Sequence, residues 1–452
     1  VETAFIKQSK RIENRQWAAY SFLILNLMII GFFWWHGSGQ EILTSPGGWI
    51  RGAGRLSGLL AALAIMLDFV LIARIPVLET AFGRSLQTQW HKTIGYAAFI
   101  LIILHASFLT VGYGIIDKLG LWPQFWSFTT TYEDVLKSIE AFGLLCLVVG
   151  LSIYFVRKRV KYETWYYVHL LTYLVIILAF SHQMKVGVDF ITQPLFRLYW
   201  WALYIGLFGF VVLLRFMKPI LQSYRYQLRV AKVTSETHDV HSITIGGRGI
   251  DQLRYQPGQF AVWWFLDTGR FWQGHPFSIT SSPGQDHVRL SFKQSGDYTA
   301  TLAAVKPGTP VILDGPSGRF TAGASANQKV LLIAGGIGIT PFVAMLEVFA
   351  GEGRDVVLLY SARTEADLAL RGELEAAAAQ GNIKITYVIT DDPAYRGVTG
   401  MLDQAKLAQL VPDAKVRAAY ICGPPPMMAA ISASLEHLGV PKKAIYTENF
   451  SF

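Results

Sequence analysis

The sequence predicts a membrane all-α six-helix bundle followed by a small antiparallel β-barrel and an α/β doubly wound domain with a parallel sheet. Three observations predict it. Apolar runs long enough to span a bilayer all fall before about Lys218, short strands with glycine-rich turns follow from Tyr224, and strands alternate with helices after Asn327. Composition agrees: 52% hydrophobic and 16% charged, with a mean hydropathy of +0.34, is too apolar for a soluble protein and too polar for a membrane bundle alone. The expected boundaries are an N-terminal segment at 1–16, the bundle at 17–218, the barrel at 223–325 and the doubly wound domain at 328–452.

Six runs have spanning length: Trp17 to Trp35, Leu56 to Ala73, Thr93 to Tyr113, Ile139 to Val156, Tyr166 to His182 and Phe196 to Phe216. Basic residues orient them. Lys7, Lys10, Arg11 and Arg15 precede the first, Arg74 and Arg84 follow the second, Arg157 to Lys161 joins the fourth to the fifth, and Arg215 and Lys218 close the sixth. The positive-inside rule puts these ends, both termini and the whole second half on the cytoplasmic side of a plasma (inner) membrane. The net charge of +9 therefore reflects topology and not nucleic-acid binding. Two cysteines, Cys146 in an apolar helix and Cys422 far away, exclude a disulfide framework. The first apolar run is long, ends in Phe32-Phe33-Trp34-Trp35 and lacks a small-residue cleavage site, so no cleavable signal peptide is expected.

Four histidines stand out in the bundle. His91 and His105 bracket one apolar run, and His169 and His182 bracket another. At about 1.5 Å per residue, separations of 14 (91 to 105) and 13 (169 to 182) put the members of each pair about 20 Å apart along their helices. One span lies between, so the two helices run the same way, and His91 meets the level of His169 while His105 meets that of His182. Two facing imidazoles at one level can supply both axial ligands of a haem iron. The alternative is that they only bond to neighbouring helices. On an ideal helix His105 lies about 40° from the face of His91, whereas His182 lies about 140° from that of His169. Either the fifth span is wound irregularly, or His182 is not a ligand.

On the outer side, the loop from Gly114 to Ser138 carries Trp122, Phe125, Trp126 and Phe128, which either cover the outer histidine pair or form an interfacial belt. Arg55 enters the second span from that side, where it either snorkels to headgroups or pairs with a haem propionate or a small anion.

Beyond the bundle, Tyr224 to Thr234, His241 to Gly246, Gln259 to Phe265, Pro276 to Ser281, His287 to Lys293 and Pro310 to Asp314 read as the barrel strands. Lys329 to Ala334, Val356 to Tyr360, Ile383 to Ile389 and Arg417 to Cys422 read as buried parallel strands, with helices over Glu365 to Gln380 and Pro425 to Leu438.

Gly335-Gly336-Ile337-Gly338-Ile339-Thr340-Pro341 follows a strand and opens a helix, the context of a phosphate-binding turn. Its glycines let a pyrophosphate approach backbone N–H groups, and Pro341 suits the first helical turn. Past the next strand, Arg363 either grips the 2′-phosphate that separates NADPH from NADH or is a surface arginine. In the barrel, His275-Pro276-Phe277-Ser278-Ile279-Thr280 offers Phe277 as an apolar surface for a flat isoalloxazine, and Ser278 or Thr280 as partners at its edge.

Together these pieces resemble the NADPH oxidase and ferric-chelate reductase superfamily, whose second half looks like ferredoxin-NADP reductase, over nearly the whole chain. The resemblance implies two b-type haems on His91, His105, His169 and His182, FAD and NADPH. It assigns His275, Pro276, Phe277 and Ser278 to the flavin motif, and Lys293 with Gly296-Asp297-Tyr298-Thr299 to the FAD pyrophosphate. Gly335, Gly336, Gly338, Thr340 and Pro341 with Cys422, Gly423 and Pro424 match the nicotinamide motifs, and Glu448-Asn449-Phe450 matches the end whose ring covers the flavin. In the family that ring usually ends the chain. Here Ser451 and Phe452 follow, leaving the stacking to Phe450 or Phe452. Oxidases of the family often carry a second histidine one turn beyond the outer ligand of the third span. Leu109 in its place counts against oxygen as acceptor, while Arg55, similar to an arginine near the family's oxygen site, counts for it.

The expectation is transmembrane electron transfer from NADPH through FAD and two haems to O2, giving superoxide. Ferric chelates, or a periplasmic protein served by a haem-bearing membrane subunit, are the alternatives, and a membrane anchor or transporter with a degenerate reductase domain is a third reading. No regulatory segment precedes the first span, so activity is expected without calcium or a regulatory subunit.

Overall fold

The computed structural model describes residues 2–43, 47–132, 134–160 and 162–448. It divides into two compact units, one of Glu13–Leu214 and one that begins at Arg215 and takes in the first residues of the chain.

The first unit is helical, with α1 (Glu2–His36), α2 (Gly48–Ile72), α3 (Pro76–Phe82), α4 (Arg84–Asp117), α5 (Leu121–Thr131), α6 (Val135–Ser152), α7 (Tyr154–Arg157), α8 (Tyr162–Leu170), α9 (Thr172–Val186), α10 (Val188–Thr192) and α11 (Pro194–Val211). Six stretches are long and apolar enough to cross a membrane: Lys10–His36, Gly48–Ile72, Leu86–Asp117, Val135–Ser152, Thr164–Val186 and Pro194–Tyr226. They fall on the six predicted runs. Ile24, Met28, Ile177, Leu198, Ile205 and Leu213 point outward, as a lipid-facing surface requires.

The central helix is α2, with 44% of its most apolar window buried against 11–17% in the other spans. Its small residues explain this, because they bring its backbone close to α4. A Cβ on Gly54 would meet Phe108 and Leu109, and one on Gly58 would meet His105. The opposite side of α2 sends Leu59, Leu63, Met66 and Phe69 into a core with Ile176, Phe196, Trp200 and Tyr204.

The fifth span is wound irregularly where the histidine spacing demands it. The helix breaks at Leu171, whose N–H bonds to Val168 O, three residues back, at 3.0 Å. The Thr172 hydroxyl donates to His169 O at 2.8 Å, and α9 restarts with the Val175 N–H on Leu171 O at 2.9 Å. A residue in a three-per-turn segment advances about 20° more than one in an α-helix, and the break changes the phase between the histidines on either side.

A π-helical turn, Val212–Met217, spans the boundary at Arg215, and α12 (Lys218–Tyr226) follows it. Residues Tyr224 to Tyr226 are therefore helical, not the start of a strand. Pro219 opens this helix, and the Ser223 hydroxyl accepts the Leu313 N–H at 3.1 Å, fixing it against the barrel. Six strands follow: β1 (Arg229–Ser235), β2 (Val240–Gly246), β3 (Phe260–Phe265), β4 (Gly274–Ser278), β5 (His287–Lys293) and β6 (Val311–Ser317). They form two antiparallel three-stranded sheets, β1-β2-β5 and β4-β3-β6, joined by bridges at Arg229–Pro310 and Ile279–Leu290. Ile243, Ile245, Trp263, Phe265, Leu290 and Leu313 fill the space between them. The short helix α13 (Asp297–Leu302) follows β5.

The remainder is a six-stranded, all-parallel sheet in the order β10-β9-β8-β7-β11-β12. Its strands are β7 (Lys329–Gly335), β8 (Asp355–Ala362), β9 (Ile383–Ile389), β10 (Val398–Thr399), β11 (Ala418–Cys422) and β12 (Ile445–Glu448). Helices α14 (Thr340–Gly351), α15 (Arg371–Ala379), α16 (Gln404–Leu410) and α17 (Pro425–His437) connect them. Alternate residues of β7 feed two cores: Val330, Leu332 and Ala334 face Phe342 and Leu346, while Leu331 and Ile333 face Ile431 and Leu435. Burial on both faces accounts for the unbroken apolar run from Val330 to Ala334.

Candidate functional site

The four histidines meet in two pairs. The His91 and His169 ring centroids lie 5.8 Å apart with the planes at 73°, and those of His105 and His182 lie 6.3 Å apart at 72°. Two imidazoles on opposite sides of one metal, each bonded at about 2 Å with its ring centre about 1 Å further out, have centroids about 6 Å apart. Both pairs fit that arrangement.

Two of the four rings have a hydrogen-bond partner at Nδ1 and a third has a carboxylate near it, which leaves Nε2 for a metal. His105 Nδ1 lies 2.7 Å from Gly54 O, and His169 Nδ1 lies 3.5 Å from the Ser152 hydroxyl, which accepts the Trp165 indole N–H at 3.1 Å and donates to Val148 O at 2.7 Å. His91 Nδ1 faces Asp68 Oδ1 at 3.5 Å. His182 Nδ1 is buried and makes no hydrogen bond among the described residues. Gly58 lies directly against His105: an added Cβ would stand 2.5 Å from Nδ1 and 2.7 Å from Cε1.

Arg55 follows Gly54 on α2 and is held on both sides. Its guanidinium donates to Glu41 Oε1 and to the Tyr113 hydroxyl, each at 2.8 Å. Arg51 shares the same carboxylate at 3.1 Å and lies over the Tyr113 ring. Between α4 and α6, the segment with Trp122, Phe125, Trp126 and Phe128 forms α5, on which Trp122 and Trp126 are exposed and Gln124 is buried.

In the barrel, His275, Pro276, Phe277 and Ser278 lie on β4, paired with Val262, Ala261 and their neighbours on β3. The His275 ring stacks on Tyr298 with centroids 3.7 Å apart, and this joins the flavin-motif strand to the Gly296 to Thr299 segment. Of the two candidate hydroxyls, that of Thr280 is occupied by Ser291 Oγ at 3.3 Å and by the Arg289 Nε–H at 3.2 Å. The Ser278 hydroxyl is engaged in neither of those contacts, which leaves it the better partner for a ring edge. Lys293 pairs with Asp239 at 2.9 Å, and the Thr299 hydroxyl accepts the N–H groups of Ser295 and Gly296 at 3.0 and 3.1 Å, shaping the turn into α13. Tyr298 is buried with no partner for its hydroxyl among the described residues, and burial pushes its ionisation up.

The parallel sheet reverses its winding between β7 and β11, and the crevice at such a switch point is where ligands bind in this architecture. Both nucleotide motifs end there. Gly336 takes a φ of +53°, and a Cβ on Gly338 would lie 2.3 Å from Cys422 O and 2.8 Å from Gly423 N, so only glycine fits. A Cβ on Gly335 would meet Met427 and Pro424. The Thr340 hydroxyl donates to Ile337 O at 3.0 Å, closing the turn, and Pro341 sits in the first turn of α14. Arg363 is exposed just beyond β8 with its side chain unpaired among the described residues, while its carbonyl accepts the Asp391 N–H at 2.8 Å. Cys422 is fully buried opposite Glu448 on β12, and burial, with the neighbouring carboxylate, pushes the thiol up. Phe450 and Phe452 lie outside the described residues.

Sequence reasoning missed Asp68, Glu41, Tyr113 and the Tyr298 stacking. Asp68 was detectable as the lone ionisable residue in the run from Leu56 to Ile72. The others depend on contacts between segments distant in sequence.

Residues 57–180 match the ferric reductase like transmembrane component, 225–319 an FAD-binding domain and 332–433 an oxidoreductase NAD-binding domain. The first match contains His91, His105 and His169 and ends two residues before His182. An NADPH oxidoreductase of Mycobacterium tuberculosis is 33% identical over 47% of this chain and 56% of its own length. The ferredoxin reductase component of a 3-ketosteroid-9-alpha-monooxygenase of Mycolicibacterium smegmatis is 32% identical over 51% of this chain and 67% of its own. The chain thus spans between about half and two thirds of these relatives' lengths. Among solved structures, the FAD/NAD-binding domain of a Vibrio cholerae nitric oxide dioxygenase aligns over 49% of this chain and 97% of its own, with 24% identity and a TM-score of 0.45. With a ferric-reductase-type membrane domain followed by FAD-binding and NAD-binding domains, the chain is an oxidoreductase that belongs to the ferric reductase and NADPH oxidase superfamily.

Proposed function

We propose that this chain takes electrons from NADPH on the cytoplasmic side of the plasma (inner) membrane and delivers them to an acceptor on the outer side, with FAD and two b-type haems as cofactors and O2, reduced to superoxide, as the favoured acceptor. The observation that carries this is the meeting of four histidines as two pairs with the ring spacing of axial ligands. FAD supplies the conversion of a hydride donor into single electrons, and haem supplies a one-electron carrier at each level. The glycine turn at Gly335 to Gly338 and the helix start at Thr340 receive the dinucleotide pyrophosphate, and Arg363 selects the 2′-phosphate. Phe277 and Ser278 face the flavin ring, and buried Cys422 with Glu448 borders the nicotinamide. His91 with His169 and His105 with His182 would each hold one haem, and with two histidines engaged at each level no iron position would stand open to the acceptor. Arg55, fixed by Glu41 and by Tyr113, which lies eight residues beyond His105 on α4, holds a positive charge on the side where an anionic product leaves.

A second reading has a specific observation in its favour. Leu109 lies against Gly54, one turn beyond His105, and gives that end of the pair an apolar wall where an oxygen site would use a histidine. Ferric chelates are then the acceptor. The test is anaerobic reduction of detergent-purified protein by NADPH, followed by visible spectroscopy and admission of air or a ferric chelate. Superoxide formed in proportion to NADPH consumed supports oxygen, and faster reoxidation by the chelate supports the second reading. A requirement for an added periplasmic protein would make the chain a membrane electron donor to that partner, and protein holding neither flavin nor haem would refute the proposal.

A further inference from the structure

An ionisable side chain inside a spanning helix is costly to keep and needs a reason. Asp68 sits near the end of α2, 9% exposed, in a run that is otherwise apolar. Among the described residues its ionic partner is His91, with Oδ1 facing Nδ1 at 3.5 Å. Both atoms are buried, and neither makes a hydrogen bond among the described residues, so the 3.5 Å approach to the other is the polar contact each has there. Space for this approach comes from Gly95, one turn beyond His91 on α4: a Cβ there would lie 3.1 Å from Asp68 Oδ2. The second level is built differently, because His105 turns its Nδ1 to a neutral backbone carbonyl, Gly54 O, at 2.7 Å.

We propose that Asp68 is a positioning residue for the first histidine pair: its carboxylate accepts the His91 Nδ1–H, aims Nε2 at the iron, and makes the His91–His169 haem the lower-potential member of the two. The inference rests on the reading of His91 as a haem ligand. A ligating imidazole that donates its other N–H to a carboxylate is a stronger base than one that donates to a carbonyl, and a stronger base favours the more positive ferric state. The difference between Asp68 at one level and Gly54 O at the other therefore inclines electron flow from the first haem to the second.

The test uses full-length, haem-loaded protein in detergent, with optical potentiometric titration and low-temperature electron paramagnetic resonance of the ferric state. Asp68→Asn keeps an acceptor oxygen and removes the negative charge. A tenfold loss of ferric preference, within the range for altered partners of a metal-bound histidine, converts to a rise of about 59 mV in one midpoint. The other midpoint stays in place. Asp68→Glu, which restores the carboxylate, returns the shifted midpoint toward that of the parent. Asp68→Ala also frees the ring to turn and alters the ferric signal of one haem. Unchanged midpoints and resonance signals in Asp68→Asn would overturn the inference, as would equal shifts at both haems. Loss of haem in Asp68→Asn but not in Asp68→Glu supports the aiming role, and equal loss in both overturns it. Parent protein without a bis-histidine spectrum would instead refute the ligand assignment, which keeps the two failures distinct.

Discussion

Gly58→Ala is a one-carbon change with a large expected effect. The new Cβ would stand 2.5 Å from His105 Nδ1, and restoring ordinary contact at 3.4 Å requires the ring to retreat by about 0.9 Å (3.4 − 2.5). The ring has little freedom to do so, because Nδ1 is held at 2.7 Å by Gly54 O, on the same helix as the intruding carbon. Retreat breaks that hydrogen bond, worth about 1 kcal/mol net, and swings Nε2 off the iron. Misaiming a metal-bound histidine typically lowers metal affinity about 10- to 100-fold, or about 1.4 to 2.7 kcal/mol. The expectation is selective loss at the His105–His182 level: haem content falls toward one per chain, while reduction of the flavin by NADPH keeps its rate. Haem extraction assays alongside stopped-flow flavin reduction measure both. Gly143→Ala, at a helical position with nothing within 4 Å, serves as the control and retains both haems. Two haems with parent spectra in Gly58→Ala would refute the assignment of His105 as an axial ligand.

Other positions give independent expectations. Gly338→Ala drives a carbon to within 2.3 Å of Cys422 O and should abolish reduction by NADPH, while dithionite still reduces the haems; retained NADPH turnover would remove the turn from the nucleotide site. Arg363→Gln should raise KM for NADPH roughly tenfold and leave that for NADH unchanged, as expected for losing a charge-assisted phosphate contact; parallel changes in both would make Arg363 an ordinary surface residue. Cys422 should resist iodoacetamide at pH 8 in folded protein, because burial keeps it a thiol. Its folded pKa is raised, so its contribution to stability is intact below the ordinary thiol value of about 8.5 and declines as pH rises above it. Cys422→Ala should flatten that alkaline decline in thermal melts, and an unaltered pH profile would contradict the burial argument.

The bundle was legible in the sequence because hydropathy and histidine spacing are both one-dimensional signals. The 13-residue spacing left a choice between a winding fault in the fifth span and a His182 that is not a ligand, and the span does break at Leu171. What spacing could not supply was the Nδ1 neighbour of three of the imidazoles: Gly54 O, Ser152 and Asp68 reach the rings from other helices. The same limit explains Arg55, whose two partners lie 14 and 58 residues away in the chain. In the second unit, β5 and β9 have the predicted bounds, since alternating or continuous apolar runs set them. The start of β1 was displaced because the alternating aromatic and polar residues near Tyr224 also suit the helix that Pro219 begins. Strand β12, which sets Glu448 beside Cys422, is four residues long and too short to announce itself by period.

Transfer of electrons from one face of the membrane to the other is the central claim, and sealed vesicles test it most directly. Protein is reconstituted with its nucleotide domain outward, a membrane-impermeant ferric complex is trapped in the lumen, and NADPH is added outside under anaerobic conditions. The account predicts that the lumenal complex is reduced, and that His105→Leu stops this while NADPH still reduces the flavin. Reduction confined to acceptors added on the NADPH side, with the lumenal complex untouched, would contradict it.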